Sequence, residues 1–190
     1  MTENPLRIAI IIGSTRAGRF GPTVGSWFAD EAARREDMVV DIVDVADALP
    51  PSAFGTAVSD GFADVTASLQ AADAYVVVTC EYNHSFPGTL KNLIDTHFSE
   101  WRAKPVGFVS YGGLAGGLRS VEHLRGVFAE LHAVTVRDTV SFHAPWNWFG
   151  EDGTPQDAEG AGAAAKGMLD QLSWWGNALR EARAVRPYGS

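Results

Sequence analysis

Leu6-Arg7-Ile8-Ala9-Ile10-Ile11-Ile12-Gly13-Ser14-Thr15-Arg16-Ala17-Gly18-Arg19-Phe20-Gly21-Pro22 is the stretch on which the reading of the whole chain turns. An apolar, β-branched run stops abruptly at small, hydroxyl and cationic residues, the pattern of a buried strand that delivers an anion-binding turn. Pro22 suits the first turn of a following helix, where its missing N–H costs nothing, so the free N–H groups and the positive dipole end face that turn. Gly13 to Phe20 nearly spells the triphosphate loop G-x-x-x-x-G-K-[ST]. Arg19 stands in place of the lysine, however, and Phe20 in place of the hydroxyl that would hold magnesium. The dinucleotide pattern G-x-G-x-x-G fails as well, because Gly13, Gly18 and Gly21 have other offsets. What remains is two hydroxyls, Ser14 and Thr15, and two guanidiniums, Arg16 and Arg19, able to meet a compact dianion such as a terminal phosphomonoester. The alternative is an ordinary polar turn with solvated arginines.

Outward from this stretch, apolar runs alternate with helical patterns. Strands are expected at Arg7 to Ile12, Val39 to Asp44, Ala74 to Thr79, Pro105 to Ser110 and Val134 to Ser141. Helices are expected after Pro22, at Asp60 to Ala71, Pro87 to Phe98 and Leu118 to His132, and in a long C-terminal segment. Such alternation implies an α/β fold, a parallel sheet with helices on both faces. In the first helix Glu31 and Arg35 have the spacing of an i,i+4 pair, as do Lys91 and Asp95 further on. Thr154-Pro155-Gln156-Asp157 resembles a capping box that starts the last helix. Leu49 to Asp60 reads as a loop and Pro187 to Ser190 as a frayed tail.

The 190 residues, 46% hydrophobic, suit one well-buried core, and we read 1–190 as a single domain. A net charge of -8 argues against nucleic acid or an anionic membrane as partner, since both reward positive surface. The one cysteine, Cys80, rules out an internal disulfide framework and a cysteine-rich metal site. No signal-peptide pattern and no long apolar span is visible, so the expected location is cytoplasmic.

In open parallel sheets ligands bind outside the carboxyl ends of the strands. After the third strand comes Thr79-Cys80-Glu81-Tyr82-Asn83-His84-Ser85-Phe86-Pro87-Gly88, rich in heteroatoms and aromatic rings. After the fourth comes Ser110-Tyr111-Gly112-Gly113-Leu114-Ala115-Gly116-Gly117, whose backbone N–H groups can approach a ligand edge closely. One loop suits a phosphate and two suit a flat ring. Gly13-Ser14-Thr15-Arg16, the block Glu81 to Asp95 (EYNHSFPGTLKNLID) and Ser110-Tyr111-Gly112-Gly113 resemble the NADPH-dependent FMN reductase family of flavodoxin-like proteins, over about Leu6 to Leu131.

That resemblance implies a flavodoxin-like three-layer sandwich with a five-stranded parallel sheet in the order 2-1-3-4-5, FMN at the carboxyl rim, and assembly as a homodimer or homotetramer. It implies that Ser14, Thr15, Arg16, Arg19, Phe20 and Gly21 hold the FMN phosphate. Cys80, Glu81, Tyr82 and Asn83 would line the isoalloxazine and ribityl chain, with Ser110, Tyr111, Gly112 and Gly113 along another ring edge. The family usually has proline where this chain has Cys80, which frees a backbone angle and restores an N–H. No catalytic side chain and no metal site is expected, because hydride transfer through flavin needs no nucleophile and His84, His97, His123, His132 and His143 show no metal-ligand spacing. Trp146 and Trp148 either roof an acceptor site or simply pack a long loop. The expected function is an NADPH- or NADH-dependent oxidoreductase working through FMN by a ping-pong cycle. Its acceptor would be a quinone, free flavin, azo compound or metal ion. A flavodoxin-like electron carrier is the alternative.

Overall fold

A computed structural model describes residues 4–52, 57 and 59–189. β1 (Leu6–Ile12), α1 (Gly21–Ala33), β2 (Met38–Asp44), α2 (Phe62–Ala71), β3 (Ala74–Cys80), α3 (Gly88–Thr96), β4 (Pro105–Gly112), α4 (Leu118–Glu130), β5 (Val134–His143) and α5 (Ala158–Val185) follow one another, with a 3-10 turn at Pro145–Asn147. All strand pairs are parallel and the order is β2-β1-β3-β4-β5, the doubly wound flavodoxin-like arrangement. Right-handed crossovers place helices on both faces. Side-chain alternation divides the interior accordingly: Ile8, Ile10, Val76 and Val78 point to α1 and α5, where Val24, Phe28, Met168 and Leu172 meet them. Ala9, Ile11, Tyr75, Val77 and Phe108 point to α2, α3 and α4, against Leu69, Leu90, Leu93 and Phe128.

The strands fall where the alternation of the sequence put them, extended by one or two residues at their ends. Other expectations are revised by competition. Glu31 pairs with Arg34 at 2.5 Å, while Arg35 turns to Asp37 at 2.8 Å and to Asp170 on α5. Lys91 and Asp95 do pair, at 2.6 Å. α5 starts at Ala158, not at Pro155, with the Asp157 carboxylate accepting from Gly160 N–H at 2.9 Å. Pro155 lies instead opposite Phe149 in a short antiparallel bridge. The Leu49 to Asp60 loop falls partly on residues 53–56 and 58, outside the described residues. The tail read as frayed is tied down at Tyr188, whose hydroxyl lies 2.9 Å from His132 Nδ1.

Between Val106 and Phe108 the register of β5 slips, so that Val136, Arg137 and Asp138 crowd opposite Gly107. Side chains from both layers satisfy this bulge. Arg125 of α4 donates to Val136 O at 2.8 Å, Arg137 O at 3.0 Å and Thr139 Oγ1 at 3.1 Å, while Asp138 N–H donates to Gln171 of α5 at 3.1 Å. Removing the fork in Arg125→Ala is expected to cost about 1–3 kcal/mol of unfolding free energy in denaturant melts. Arg125→Lys should recover little of it, because a single ammonium cannot serve both carbonyls with the same geometry.

At the opposite end of the sheet from the strands' carboxyl rim, Lys104 is buried and donates to Leu69 O at 3.2 Å, Gln70 O at 3.1 Å and Tyr75 OH at 3.0 Å. Burial, helped by the Arg183 charge, lowers its amine from the ordinary 10.5 to about 8. Unfolding restores the ordinary value, so between these two pH values the unfolded chain binds more protons and stability rises with pH. Unfolding free energy is therefore expected to climb from pH 8 to 10 in the wild type relative to Lys104→Met, measured by chemical denaturation at each pH; parallel pH curves would refute it.

Candidate functional site

β1, β3 and β4 end on one rim, and the loops that follow them carry the candidate residues. Past Ile12 the first loop is stitched to the next strand by Gly13 N–H donating to Val78 O at 2.9 Å. Ser14 is buried with its hydroxyl 3.0 Å from Tyr82 OH, and Thr15 Oγ1 lies 3.3 Å from Thr89 Oγ1. The two arginines behave differently. Arg16 is exposed, its guanidinium 5.8 Å from the Tyr82 ring centroid. Arg19 forms a two-pronged ion pair with Asp44, Nη2 to Oδ2 at 2.8 Å, and also donates to Ser14 O at 2.8 Å. Hydrogen bonding to Asp44 raises the Arg19 pKa further still. Phe20 meets Phe149 edge-on at 5.5 Å and Tyr111 at 6.4 Å, so the loop is anchored in an aromatic cluster. Gly21 allows the helix to start there: a Cβ would stand 2.9 Å from Ile12 Cγ2 and 3.0 Å from Tyr111 OH.

The second loop leaves β3 at Cys80, a buried thiol whose carbonyl accepts from Ser120 Oγ at 3.0 Å. Tyr82 and Ser85 exchange backbone hydrogen bonds of 2.8 and 3.1 Å across Asn83 (φ 50°) and His84 (φ 71°), a tight turn with both central residues left-handed. Such backbone on non-glycine residues costs about 1–3 kcal/mol each and is found where the surroundings fix it. In the third loop Ser110 Oγ and Ser141 Oγ both donate to Gly116 O, at 2.8 and 2.9 Å. Gly117 (φ 83°) folds back so closely that a Cβ would stand 2.9 Å from the Tyr111 backbone. Gly112 is half-buried beside Glu81, and Gly113 is exposed.

Two buried polar atoms on this rim lack partners. Glu81 Oε1 accepts from Arg119 at 2.7 Å, but Oε2 is buried without a donor, as is the hydroxyl of Tyr111. Among the described residues only Arg102 Nε shares that condition. Burial pushes the pKa of both the Tyr82 and the Tyr111 phenol up, keeping each protonated and able to donate. Buried polar atoms without a protein partner are completed by ordered water, an ion or a ligand.

Sequence reasoning did not single out Asp44, Arg119 or Thr89. Asp44 ends β2, which the strand order sets beside β1, and Thr89 opens α3. Arg119 carried a signal: a cation in the first turn of a helix opposes the dipole and calls for a nearby acid. Trp146 and Trp148 are exposed at 61% and 43%, whereas Phe149 packs on Phe142 at 4.9 Å.

The class defined by this fold is a flavodoxin-like α/β protein, with a hydroxyl- and arginine-bearing loop after β1 and polar, glycine-rich loops after β3 and β4 on one rim. Residues 6–147 match the NADPH-dependent FMN reductase family. A probable NADPH:quinone oxidoreductase of Oryza sativa subsp. japonica is 35% identical over 167 residues, covering 81% of each chain. An NAD(P)H-dependent FMN reductase of Schizosaccharomyces pombe is 30% identical over 131 residues, covering 63% of this chain and 66% of that one. Among solved structures, FerB of Paracoccus denitrificans, a flavoenzyme NAD(P)H:(acceptor) oxidoreductase, superposes with a TM-score of 0.67 at 22% identity, over 90% of this chain and 97% of its own. The chain belongs to the NADPH-dependent FMN reductase family and is an oxidoreductase whose cofactors are FMN and NAD(P)H.

Tyr111→Phe removes an unpaired buried hydroxyl and is expected to stabilise the flavin-free chain by about 1 kcal/mol. The same substitution should shrink the rise in Tm on adding FMN; an unchanged rise would mean that the hydroxyl serves no ligand.

Proposed function

We propose that this chain passes electrons from NADPH or NADH through FMN to a quinone-type acceptor, with the phosphate held by the β1–α1 loop and the ring by the loops after β3 and β4. The observation that carries this reading is the pair of unpartnered buried atoms at the rim, Glu81 Oε2 beside Gly112 and Tyr111 OH, which reaches from the end of β4 to Gly21 at the β1–α1 loop. When bound, FMN supplies the two-electron redox chemistry. The protein's own residues bind and orient. Arg16 would supply charge to the phosphate, and the Ser14 and Thr15 hydroxyls and the N-terminal N–H groups of α1 would donate hydrogen bonds to it; Phe20 and Gly21 shape the turn. Cys80, Glu81, Tyr82, Asn83, Ser110, Tyr111, Gly112 and Gly113 would wall the ring, offering carboxylate, phenol and backbone partners. Cys80 acts as a packing thiol, and no side chain serves as a nucleophile.

Free flavin, azo compounds and metal ions belong to the same proposal as further acceptors. The quinone oxidoreductase among the relatives supports a quinone first. We read residues 1–190 as one domain working in the cytoplasm; no helix among the described residues is long and apolar enough to cross a membrane. Leu114 at 90% and Trp146 at 61% exposure leave large apolar side chains open beside the rim. That supports a homodimer or homotetramer in which a second copy covers them.

The test is anaerobic mixing of the FMN-loaded protein with NADPH or NADH. The flavin colour should bleach without any protein partner and return on adding a quinone, and steady-state lines at varied quinone should run parallel. A flavin that stays oxidised with both nucleotides, yet takes electrons from a separate reductase, would make the chain a carrier.

A further inference from the structure

Asp44 is the last residue of β2, and its carboxylate is held from three directions. It takes both terminal nitrogens of Arg19, and Oδ1 also accepts from Ala46 N–H at 3.0 Å. The next residue, Val45, donates its N–H to Ile12 O at 3.1 Å, locking the end of β2 to the end of β1. On the other side Arg19 Nη1 donates to Ser14 O at 2.8 Å, and Arg19 N–H donates to Arg16 O at 3.1 Å, closing the turn. The Arg19 and Asp44 side chains are only 18% and 13% exposed, so the pair is largely out of water. Arg16, three residues earlier, projects into solvent from the same loop and has no ion-pair partner among the described residues.

We propose that Arg19 and Asp44 act together as a neutral strut that fixes the shape of the phosphate loop, which makes both positioning residues and leaves Arg16 as the guanidinium that meets the phosphate. This rests on the FMN reading above. The argument is one of charge and geometry. Three of the five Arg19 N–H groups are engaged by protein acceptors, two of them by a carboxylate in the fork geometry that a phosphate would otherwise have to displace. A phosphate dianion approaching the loop meets a paired Asp44 whose repulsion is cancelled. Take away Arg19 alone, and a bare, poorly solvated carboxylate faces the dianion. Take away both charges, and the repulsion disappears; Asp44→Asn keeps the size of the carboxylate and its acceptor for Ala46 N–H, while Arg19→Gln, with its shorter side chain, gives up the guanidinium's bonds.

Flavin-free protein titrated with FMN and with riboflavin, by fluorescence quenching, reads these cases apart. Arg19→Gln is expected to weaken FMN about tenfold or more and riboflavin less than threefold. Adding Asp44→Asn to it should bring FMN affinity back by about threefold or more, the remaining loss being the loop shape that went with the guanidinium, whereas adding Asp44→Asn to Arg16→Gln should leave the Arg16 loss uncorrected. Failure of the second substitution to recover Arg19→Gln would mean that Arg19 touches the phosphate itself; the strut is then wrong and the FMN site stands. Wild-type protein that binds riboflavin as tightly as FMN would remove the phosphate site, and both readings fall. Should thermal melts show that Arg19→Gln does not fold, Asp44→Asn alone decides, because it keeps an acceptor for Arg19 and removes the opposing charge. It is expected to bind FMN at least as tightly as the wild type, and a tenfold weakening would overturn the strut.

Discussion

Five parallel strands must send all their carboxyl ends to one edge, and everything functional in this chain follows from that constraint. A parallel sheet needs helices on both faces to cover it, so loops alone are free to carry polar chemistry, and they do so at the rim. The order β2-β1-β3-β4-β5 brings the ends of β1, β3 and β4 together although Gly13, Cys80 and Gly112 are far apart in sequence. β2, which contributes no ring loop, still reaches the rim through Asp44 and its grip on Arg19.

Much of this was legible in the chain itself. β-branched runs such as Ile8 to Ile12 and Val76 to Val78 are apolar at every position because both faces of the sheet are covered, and such runs have few other places to go. Glycine and proline punctuation marked the loops at the ends of β1, β3 and β4. Partnerships were less legible than positions. Arg35 had Glu31 within helical reach, yet two acids from elsewhere, Asp37 and Asp170, hold it together, and Glu31 pairs with Arg34. Asp157 won the cap of α5 because Pro155 was drawn into a bridge with Phe149 that no local pattern announces. Asp44 looked like any strand-end carboxylate until the fold set it opposite Arg19.

Long side chains substitute for missing backbone partners throughout the structure. Arg125 mends the bulge in β5, Lys104 takes two carbonyls at the end of α2, and Ser110 with Ser141 share the carbonyl of Gly116. Each of these devices sits where regular secondary structure breaks off, which is where backbone groups would otherwise be buried without partners. The side-chain entropy cost of Arg125 and Lys104 is offset because each fixes three acceptors at once, whereas the two serines converge on a single carbonyl.

The two ends of the sheet carry different polar networks. At the base, Lys104, Tyr75, Asp73 and Arg183 form a network in which the Tyr75 hydroxyl reaches Leu69 O and accepts from Lys104, and Arg183 reaches Asp73. At the rim, Glu81 keeps one carboxylate oxygen unanswered and Tyr111 its hydroxyl, while Asn83 and His84 hold left-handed backbone. Unpaired atoms and strained turns reduce stability, so each persists only where the surrounding packing holds it. The base is not free of such features: Arg102 Nε is buried there without a protein partner, and Ala103 and His132 hold left-handed backbone. What sets the rim apart is the kind of group left open, a carboxylate oxygen and a phenol beside the loops proposed to hold FMN.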